Sequence, residues 1–207
     1  MITGNDNFWE TLKKTNGALS CSEAIAIMNI AAQVNGSSFL ELGTYRGKSA
    51  LAALQGLKNG SFDLVDPEFS DEKVCEEVAN TIGKTNNVRV NIINGYSTDL
   101  ISNYNHLDYV FVDSGSHQDG LPMQEVKLLE DRMVQGGIIA FHDWNSQFSE
   151  VMEASDYLVS TGKYEYIPIN WDEINHYVGE NNLNEGNLSW HHPEIEFPNF
   201  VGAVRRK

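Results

Sequence analysis

This sequence has few cysteines and no long apolar run. Cys21 and Cys75 are the only cysteines among 207 residues, too few for a disulfide framework or a cysteine-rich metal cluster. No apolar run approaches the roughly 18 residues of a membrane-spanning helix. The N-terminal residues also lack a basic segment followed by an apolar core. We therefore expect a cytoplasmic protein that neither enters nor crosses a membrane.

Basic residues are scarce as well. Lysine and arginine number 14 against 29 aspartates and glutamates, which gives a formal net charge of −15 and a pI of about 4.6. Such a surface repels nucleic-acid phosphates, because it offers no basic field that would displace their counterions. We expect a small-molecule ligand and no nucleic-acid partner, and the sequence leaves a homo-oligomer open.

What is present is a globular composition, 41% hydrophobic and 21% charged, in a chain long enough for one well-buried core. We interpret residues 1–207 as a single domain. Its predicted parts are an N-terminal helical cap at 1–36, a core sheet at 37–169, a long loop at 170–196 and a final strand at 197–207. The loop is longer than a compact domain normally contains, so it is either a flexible surface loop or a substrate lid or oligomer contact.

Short apolar runs alternate with helical patterns along the chain. Residues from about 6 to 33 read as helix, and strands are predicted at 37–42, 61–66, 88–93, 107–113, 136–143, 164–169 and 197–206. Helical patterns at 47–57, 71–83, 98–104, 121–134 and 148–161 separate most of these strands. Strands that alternate with helices predict an α/β fold: a doubly wound, Rossmann-like, mostly parallel sheet with helices on both faces. The last two strands have no helix between them, so the C-terminal strand is predicted to pair antiparallel at an edge.

Ligands of open parallel sheets bind beyond the carboxyl ends of the strands. The first predicted strand ends at Glu41 and turns through Gly43 to Gly47, and glycines there let a ligand approach the backbone and the next helix N-terminus. The second strand ends at Asp66, at the distance where nucleotide-binding folds place an acid on ribose hydroxyls. These features predict an adenosine-containing cofactor. They leave NAD and other adenosyl compounds open, although a dinucleotide turn would read G-x-G-x-x-G and this one reads G-T-Y-R-G.

Five segments in order carry a family resemblance: "LELGTYRGKSA", "LVDP", "NGYS", "YVFVDSGSH" and "GGIIAFHDW". Together they resemble the class I S-adenosylmethionine-dependent methyltransferases over residues 20–165 or so. The chain looks most like the small O-methyltransferases similar to catechol O-methyltransferase, and like the group of macrolide-sugar O-methyltransferases and cephalosporin-hydroxylase-like proteins. The resemblance implies S-adenosylmethionine as the cofactor.

The resemblance also implies a role for each strand end. The first turn would surround the methionine portion and sulfonium of the cofactor, Asp66 would bind the ribose, and Ser97 would lie at the adenine. A sulfonium cation suits an acid-rich crevice, and the amides of the turn can take the cofactor carboxylate. The predicted cofactor-binding residues are Glu41, Gly43, Thr44, Tyr45, Gly47, Ser49, Asp66, Tyr96, Ser97, Asp113 and Ser114.

Methyl transfer to a hydroxyl also requires that a proton leave, through a base or through a metal that lowers the hydroxyl pKa. Asp113 ends the fourth predicted strand, and His142 and Asp143 end the fifth, so these three are the predicted metal ligands. The resembling enzymes have two carboxylate or amide residues where this chain has His142 and Asp143. Because imidazole suits Mn²⁺, Fe²⁺ or Zn²⁺ better than Mg²⁺, the predicted ion is Mg²⁺ or Mn²⁺ with the imidazole favouring the latter.

His117, which follows the fourth strand, is the predicted general base. His142 and Asp143 are the other predicted catalytic residues. The sequence as a whole predicts a methyltransferase that uses S-adenosylmethionine for O-methylation of a small hydroxylated acceptor, a sugar or a secondary metabolite. Two alternatives remain: an NAD-dependent oxidoreductase on a Rossmann-like fold, and a non-transferase relative that binds S-adenosylmethionine or is hydroxylase-like.

Overall fold

The computed structural model describes residues 1–83, 87–115, 119–144, 148–183 and 200–207. The helices in these ranges are α1 (Asp6–Lys14), α2 (Cys21–Ala31), α3 (Lys48–Gly56), α4 (Glu72–Ile82), α5 (Ser97–Leu100), α6 (Leu121–Leu129), α7 (Ser149–Ser160) and α8 (Trp171–Glu180). The strands are β1 (Ser38–Leu42), β2 (Gly60–Asp66), β3 (Val88–Asn94), β4 (Leu107–Val112), β5 (Met133–Phe141), β6 (Tyr164–Tyr166) and β7 (Gly202–Arg206). This alternation confirms the predicted α/β class.

The strands form one seven-stranded sheet in the order β3-β2-β1-β4-β5-β7-β6. The strands from β1 to β5 are parallel, and β7 is antiparallel to both β5 and β6. The antiparallel pairing of the C-terminal strand is therefore confirmed. The position of β7 differs from the predicted one at the sheet edge. Strand β7 lies between β5 and β6, so β6 is the edge strand.

Alternate residues of the central strands face opposite layers of helices. Phe39 and Tyr109 belong to a core shared with α1, α2, α3, α4 and α8, whereas Leu40 and Val110 belong to a second core shared with α6 and α7. Parallel pairing of β1 with β4 brings each residue beside its like-facing partner. Because both faces of β1 and β4 are buried, these positions are apolar on both faces.

Three element boundaries differ from the prediction. The helix expected over residues 6–33 is two helices, because Ser20 caps α2 and Gly17 adopts a positive φ of 134° in the connection. The segment expected as a loop at 170–196 begins with α8, and its residues 184–196 lie outside the described ranges. Strand β5 begins at Met133 and not at Gly136, since its pairing with β4 shifts register between Leu107 and Tyr109.

Over the part of the chain that is described, no helix has both the length and the apolar character needed to cross a membrane.

Candidate active site

The turn between β1 and α3 lies against the end of β4. Gly43 has a φ of 84°, and a Cβ atom there would come within 2.2 Å of the carbonyl oxygen of Asp113. Only glycine permits so close a backbone approach at a left-handed φ. The turn and Asp113 therefore share one crevice at the carboxyl ends of the parallel strands.

Glu41 is completely buried beneath this turn. The Ser49 hydroxyl, in the first turn of α3, donates a 2.7 Å hydrogen bond to Glu41 Oε1. Burial raises the pKa of Glu41 well above its ordinary value; the hydrogen bond from Ser49 opposes the rise, and the charges of Asp113 and Asp66 add to it. The raised pKa favours the neutral form of Glu41, so the negative charge of the crevice comes from Asp66 and Asp113.

Asp66 ends β2 and is held by two backbone amides. The Tyr45 amide donates to Asp66 Oδ2 at 2.8 Å, and the Glu68 amide donates to Asp66 Oδ1 at 2.8 Å. Each carboxylate oxygen can accept a further hydrogen bond, because a carboxylate offers about four acceptor sites. The two predicted features, the glycine turn and the acid after β2, are in direct contact.

Arg46, to which the sequence assigns no role, joins the same two segments through its side chain. Its guanidinium pairs with Glu68 at 2.7 Å and with Glu77 of α4 at 2.9 Å. The guanidinium also lies over the Tyr45 ring, 4.4 Å from the ring centroid. Arg46 therefore links the turn after β1 to the short 3₁₀ helix after β2, the two segments whose amides hold Asp66.

Four ionisable side chains meet at the ends of β4 and β5. The Nδ1 atom of His142 is 3.2 Å from Asp113 Oδ1 and 3.5 Å from Asp143 Oδ2, and its Nε2 atom is 3.6 Å from Glu23 Oε1 on α2. Burial alone would lower the pKa of His142, but the carboxylates of Asp113, Asp143 and Glu23 raise it well above its ordinary value. Sequence reasoning missed Glu23, because α2 is distant along the chain and its glutamate also reads as a helix cap.

The donor set at this point fits a divalent cation. Asp113, His142 and Asp143 each offer one ligand atom, and these atoms lie within 4.8 Å of one another. Two carboxylate oxygens and one imidazole nitrogen are a mixed set that suits Mn²⁺, Fe²⁺ or Zn²⁺ better than Mg²⁺. His142 and Asp143 differ from the pair found in the resembling families. They are compatible with a metal ion that accepts a nitrogen ligand more readily than Mg²⁺ does.

The remaining predicted residues occupy varied surroundings. Tyr96, the N-cap of α5, is 67% exposed, whereas Ser97 is buried. Thr44 is buried in the turn. The Ser114 hydroxyl hydrogen-bonds to buried Glu125 of α6, so this side chain is engaged with a helix. His117 lies outside the described residues.

Lys48 is the one other charged side chain that lines the crevice from α3, and sequence reasoning also missed it. It is 5% exposed, and its Nζ atom donates to the carbonyl oxygen of Gly17 at 3.1 Å. A narrow cleft between residues 16–19 and the β1 turn is lined by Lys48 together with Thr44, Ser49 and Asp113. The segment between α1 and α2 therefore covers the turn.

Comparison with sequence families identifies the class of protein. The model of the family described as "Methyltransferase domain" matches residues 40–144, just over half of the chain. The match begins in β1 and ends directly after Asp143, so it spans every strand end described above. The chain belongs to this methyltransferase-domain family. A search of curated protein sequences gives no significant match.

Solved methyltransferase structures share the fold at low sequence identity. The O-methyltransferase TomG from Streptomyces achromogenes, in complex with SAM, has a TM-score of 0.63 and 13% identity over 100% of this chain and 92% of its own. The O-methyltransferase from Bacillus cereus, in complex with SAH, has a TM-score of 0.61 and 13% identity over 100% and 94%. Precorrin-6y C5,15-methyltransferase from Geobacter metallireducens has a TM-score of 0.62 and 13% identity over 100% of both chains. At this identity the comparison establishes the fold, which methyltransferases with different acceptors share.

Proposed function

We propose that this protein transfers the methyl group of S-adenosylmethionine to a hydroxyl oxygen of a small acceptor. The observation that carries the proposal is the contact of Asp66 with the Tyr45 amide inside a matched methyltransferase domain. It joins an acid suited to ribose hydroxyls to a glycine turn suited to the rest of the cofactor. Two of the similar structures are O-methyltransferases with SAM or SAH bound, which supports the choice of cofactor and acceptor atom.

The residues of the turn bind and orient the cofactor in this proposal. Asp66 accepts hydrogen bonds from the ribose, and the segment at Tyr96 and Ser97 holds the adenine. The acids around the crevice favour a sulfonium cation over the neutral thioether left after transfer, since opposite charges attract more strongly in a partly buried site. The turn residues assigned to the methionine portion are Glu41, Gly43, Thr44, Tyr45, Gly47 and Ser49, with Asp113 and Ser114 beside them.

Alignment is the main task of the protein in the chemical step. When bound, S-adenosylmethionine would supply an activated methyl group: the acceptor oxygen bonds to the methyl carbon as the carbon–sulfur bond breaks, and S-adenosylhomocysteine leaves as a neutral thioether. The chain holds acceptor and cofactor at the required angle and distance, which removes an entropic barrier. Residues 16–19 line the cleft opposite the turn, and we expect them to limit the access of water.

The hydroxyl proton must leave during transfer. We propose that Asp113, His142 and Asp143 hold a divalent cation, which when bound lowers the pKa of the acceptor hydroxyl. Both ring nitrogens of His142 face carboxylates, so neither is open to an acceptor. We therefore retain His117 as the proposed general base, with Asp143 acting as a ligand.

A product analysis separates this function from the oxidoreductase alternative. The protein is incubated with S-adenosylmethionine, NAD⁺ and a panel of small catechols, sugars and phenols, with Mg²⁺ or Mn²⁺, and products are read by mass spectrometry. We expect an acceptor that gains one methyl group, and less product from Asp66→Asn at limiting cofactor. An acceptor that loses two hydrogens while NADH accumulates would overturn the proposal.

A further inference from the structure

Asp143 has a backbone conformation that is unusual for its residue type. Its φ is 53°, in the left-handed region that residues other than glycine adopt rarely and at a cost in free energy. It directly follows His142, and both belong to the set of candidate metal ligands. A left-handed residue of this kind persists only where the surrounding structure holds it. Contacts next to Asp143 therefore have to fix the chain at this point.

The residues on either side of Asp143 contact opposite layers of the fold. His142 faces Glu23 of α2, whereas Trp144 donates a 2.8 Å hydrogen bond from Nε1 to Ser155 Oγ on α7. In an extended strand, residues two positions apart would point to the same face. The left-handed Asp143 breaks this alternation, so one of its neighbours is held in each layer.

Two further contacts hold Trp144 against the C-terminal strand. Its backbone amide donates to the Phe200 carbonyl oxygen at 2.9 Å, and its ring packs against Gly202 of β7. A Cβ atom at Gly202 would come within 2.5 Å of the ring, so this position has no room for a side chain. Gly202 pairs with Phe141, the last residue of β5. Trp144 therefore holds the turn after β5 against β7 as well as against α7.

We infer that Trp144 is a positioning residue for the proposed metal site: its contacts keep Asp143 left-handed, with the carboxylate beside His142. The inference rests on the proposed function, because it presumes a divalent cation at Asp113, His142 and Asp143. Trp144 supplies no ligand atom in this role. A ligand set that is held in place before the cation arrives loses less conformational freedom when the cation binds.

Two substitutions remove the indole hydrogen bond from its two ends. Trp144→Phe removes the donor and keeps an aromatic ring, and Ser155→Ala removes the acceptor. Each is expected to weaken Mn²⁺ binding, measured by calorimetry, about tenfold, as for other residues that orient metal ligands. The double variant should bind Mn²⁺ no more weakly than the single ones, since both changes remove the same bond. Affinity for S-adenosylhomocysteine should stay within about twofold of wild type, because Asp66 and its turn are not touched.

Ser160→Ala is the matched control for Ser155→Ala. Both serines lie on α7 and donate to the carbonyl oxygen three residues earlier. Ser160 is exposed and has no contact with Trp144, so its substitution should leave the Mn²⁺ affinity as it is in the wild type.

Gly202→Ala tests the ring contact separately. The three heavy atoms nearest to a Cβ at this position all belong to Trp144, so alanine acts mainly by displacing that ring. We expect Mn²⁺ binding to weaken about 10- to 100-fold. In a Trp144→Ala background the same substitution should have less than about a twofold further effect, because the ring that it displaces is absent.

The two ligands separate the possible failures. Wild-type Mn²⁺ affinity in both Trp144→Phe and Ser155→Ala would overturn this inference alone. Equal losses of Mn²⁺ and S-adenosylhomocysteine affinity would also overturn it, since Trp144 would then support the whole fold and not the metal ligands. A wild-type protein that binds no Mn²⁺ would overturn the proposed metal site together with this inference. If it binds Mn²⁺ but no S-adenosylhomocysteine, the proposed methyl transfer fails, and the Mn²⁺ affinities of the variants still decide the role of Trp144.

Discussion

At the scale of single residues, the proposed cofactor site depends on a carboxylate that is held in place by its neighbours. Asp66 accepts hydrogen bonds from the amides of Tyr45 and Glu68, and Arg46 joins these two segments through its ion pair with Glu68. Both glutamate partners of Arg46 are more than half exposed, so solvent screens the ion pairs. We expect Arg46 to act on the cofactor only through the position of Asp66.

This role predicts a double-mutant result. Arg46→Ala should weaken S-adenosylhomocysteine binding by about 1 kcal/mol, or roughly fivefold, because the Asp66 carboxylate becomes less well fixed. In an Asp66→Asn background the same substitution should have almost no further effect, since the two act as one unit. Calorimetric titration of the four proteins measures both values.

Arg89→Ala is a suitable control for this cycle. Arg89 is an exposed arginine near the start of β3, whereas the crevice lies at the carboxyl ends of the parallel strands. It should bind the ligand as the wild type does. Fully additive effects of Arg46→Ala and Asp66→Asn would mean that Arg46 does not act through Asp66.

The contrast between Asp66 and Arg46 illustrates what the sequence can predict at this scale. The position of Asp66 was predictable, because the parallel pairing of β1 and β2 places the ends of both strands at the same edge of the sheet. This placement does not depend on side-chain conformation. The partners of Arg46 and Lys48 depend on how long, flexible side chains fold back over residues 22 or 31 positions away. The spacing of residues along the sequence carries no signal for such contacts. From the sequence alone, Arg46 and Lys48 therefore cannot be distinguished from ordinary surface charges.

At the scale of elements, α2 connects the N-terminal cap to the strand ends. Glu23 forms a capping box with Ser20 and also brings its second carboxylate oxygen to 3.6 Å from His142 Nε2. A carboxylate behind a metal-ligating imidazole orients the ring and raises its basicity as a ligand. Helix α2 is therefore expected to tune the proposed metal site.

This arrangement predicts distinct effects for the two members of the capping box. Wild-type protein should bind Mn²⁺ more tightly than Mg²⁺, and Glu23→Gln should weaken Mn²⁺ binding about tenfold. Ser20→Ala should lower the free energy of unfolding by about 1 kcal/mol while it leaves Mn²⁺ affinity close to wild type. Metal titration and denaturant unfolding measure the two quantities; no Mn²⁺ binding, or equal losses of affinity in both variants, would remove Glu23 from a metal-supporting role.

Element boundaries were predictable where local signals are strong. The apolar runs of the central strands have short-range causes, so the parallel strands follow from them. The prediction joined α1 and α2 into one helix, although the Ser20 and Glu23 capping box marks a separate start for α2. Helix α8 was missed because it lies in a polar stretch, and only Ile174 and Val178 among its residues are buried. Its packing against α2, including the Ser22 hydroxyl bonded to Asn175, is a tertiary effect without a local signature.

At the scale of the whole molecule, the sheet order places the candidate site. Strands β1 and β4 are neighbours although two strands separate them along the chain, so the order reverses at this point and a crevice opens above their ends. The alternation of strands and helices predicted this class of sheet. It did not predict that β7 would insert between β5 and β6, because the choice of neighbouring strand is a tertiary effect without a local signal in the sequence.

The same crevice also determines what the molecule as a whole should bind. Asp66 and Asp113 lie at one turn, and the chain carries 29 acidic residues against 14 basic ones. A dinucleotide brings a pyrophosphate, which such a crevice repels, whereas S-adenosylmethionine brings a sulfonium cation, which it attracts. Long-range charge and local geometry therefore favour the same cofactor.

The most direct test of the central claim is a calorimetric titration of the wild-type protein with S-adenosylmethionine, S-adenosylhomocysteine and NAD⁺, each with and without Mn²⁺. We predict saturable one-to-one binding of both sulfur compounds and no measurable binding of NAD⁺. Tight binding of NAD⁺, with no response to either sulfur compound, would contradict the account.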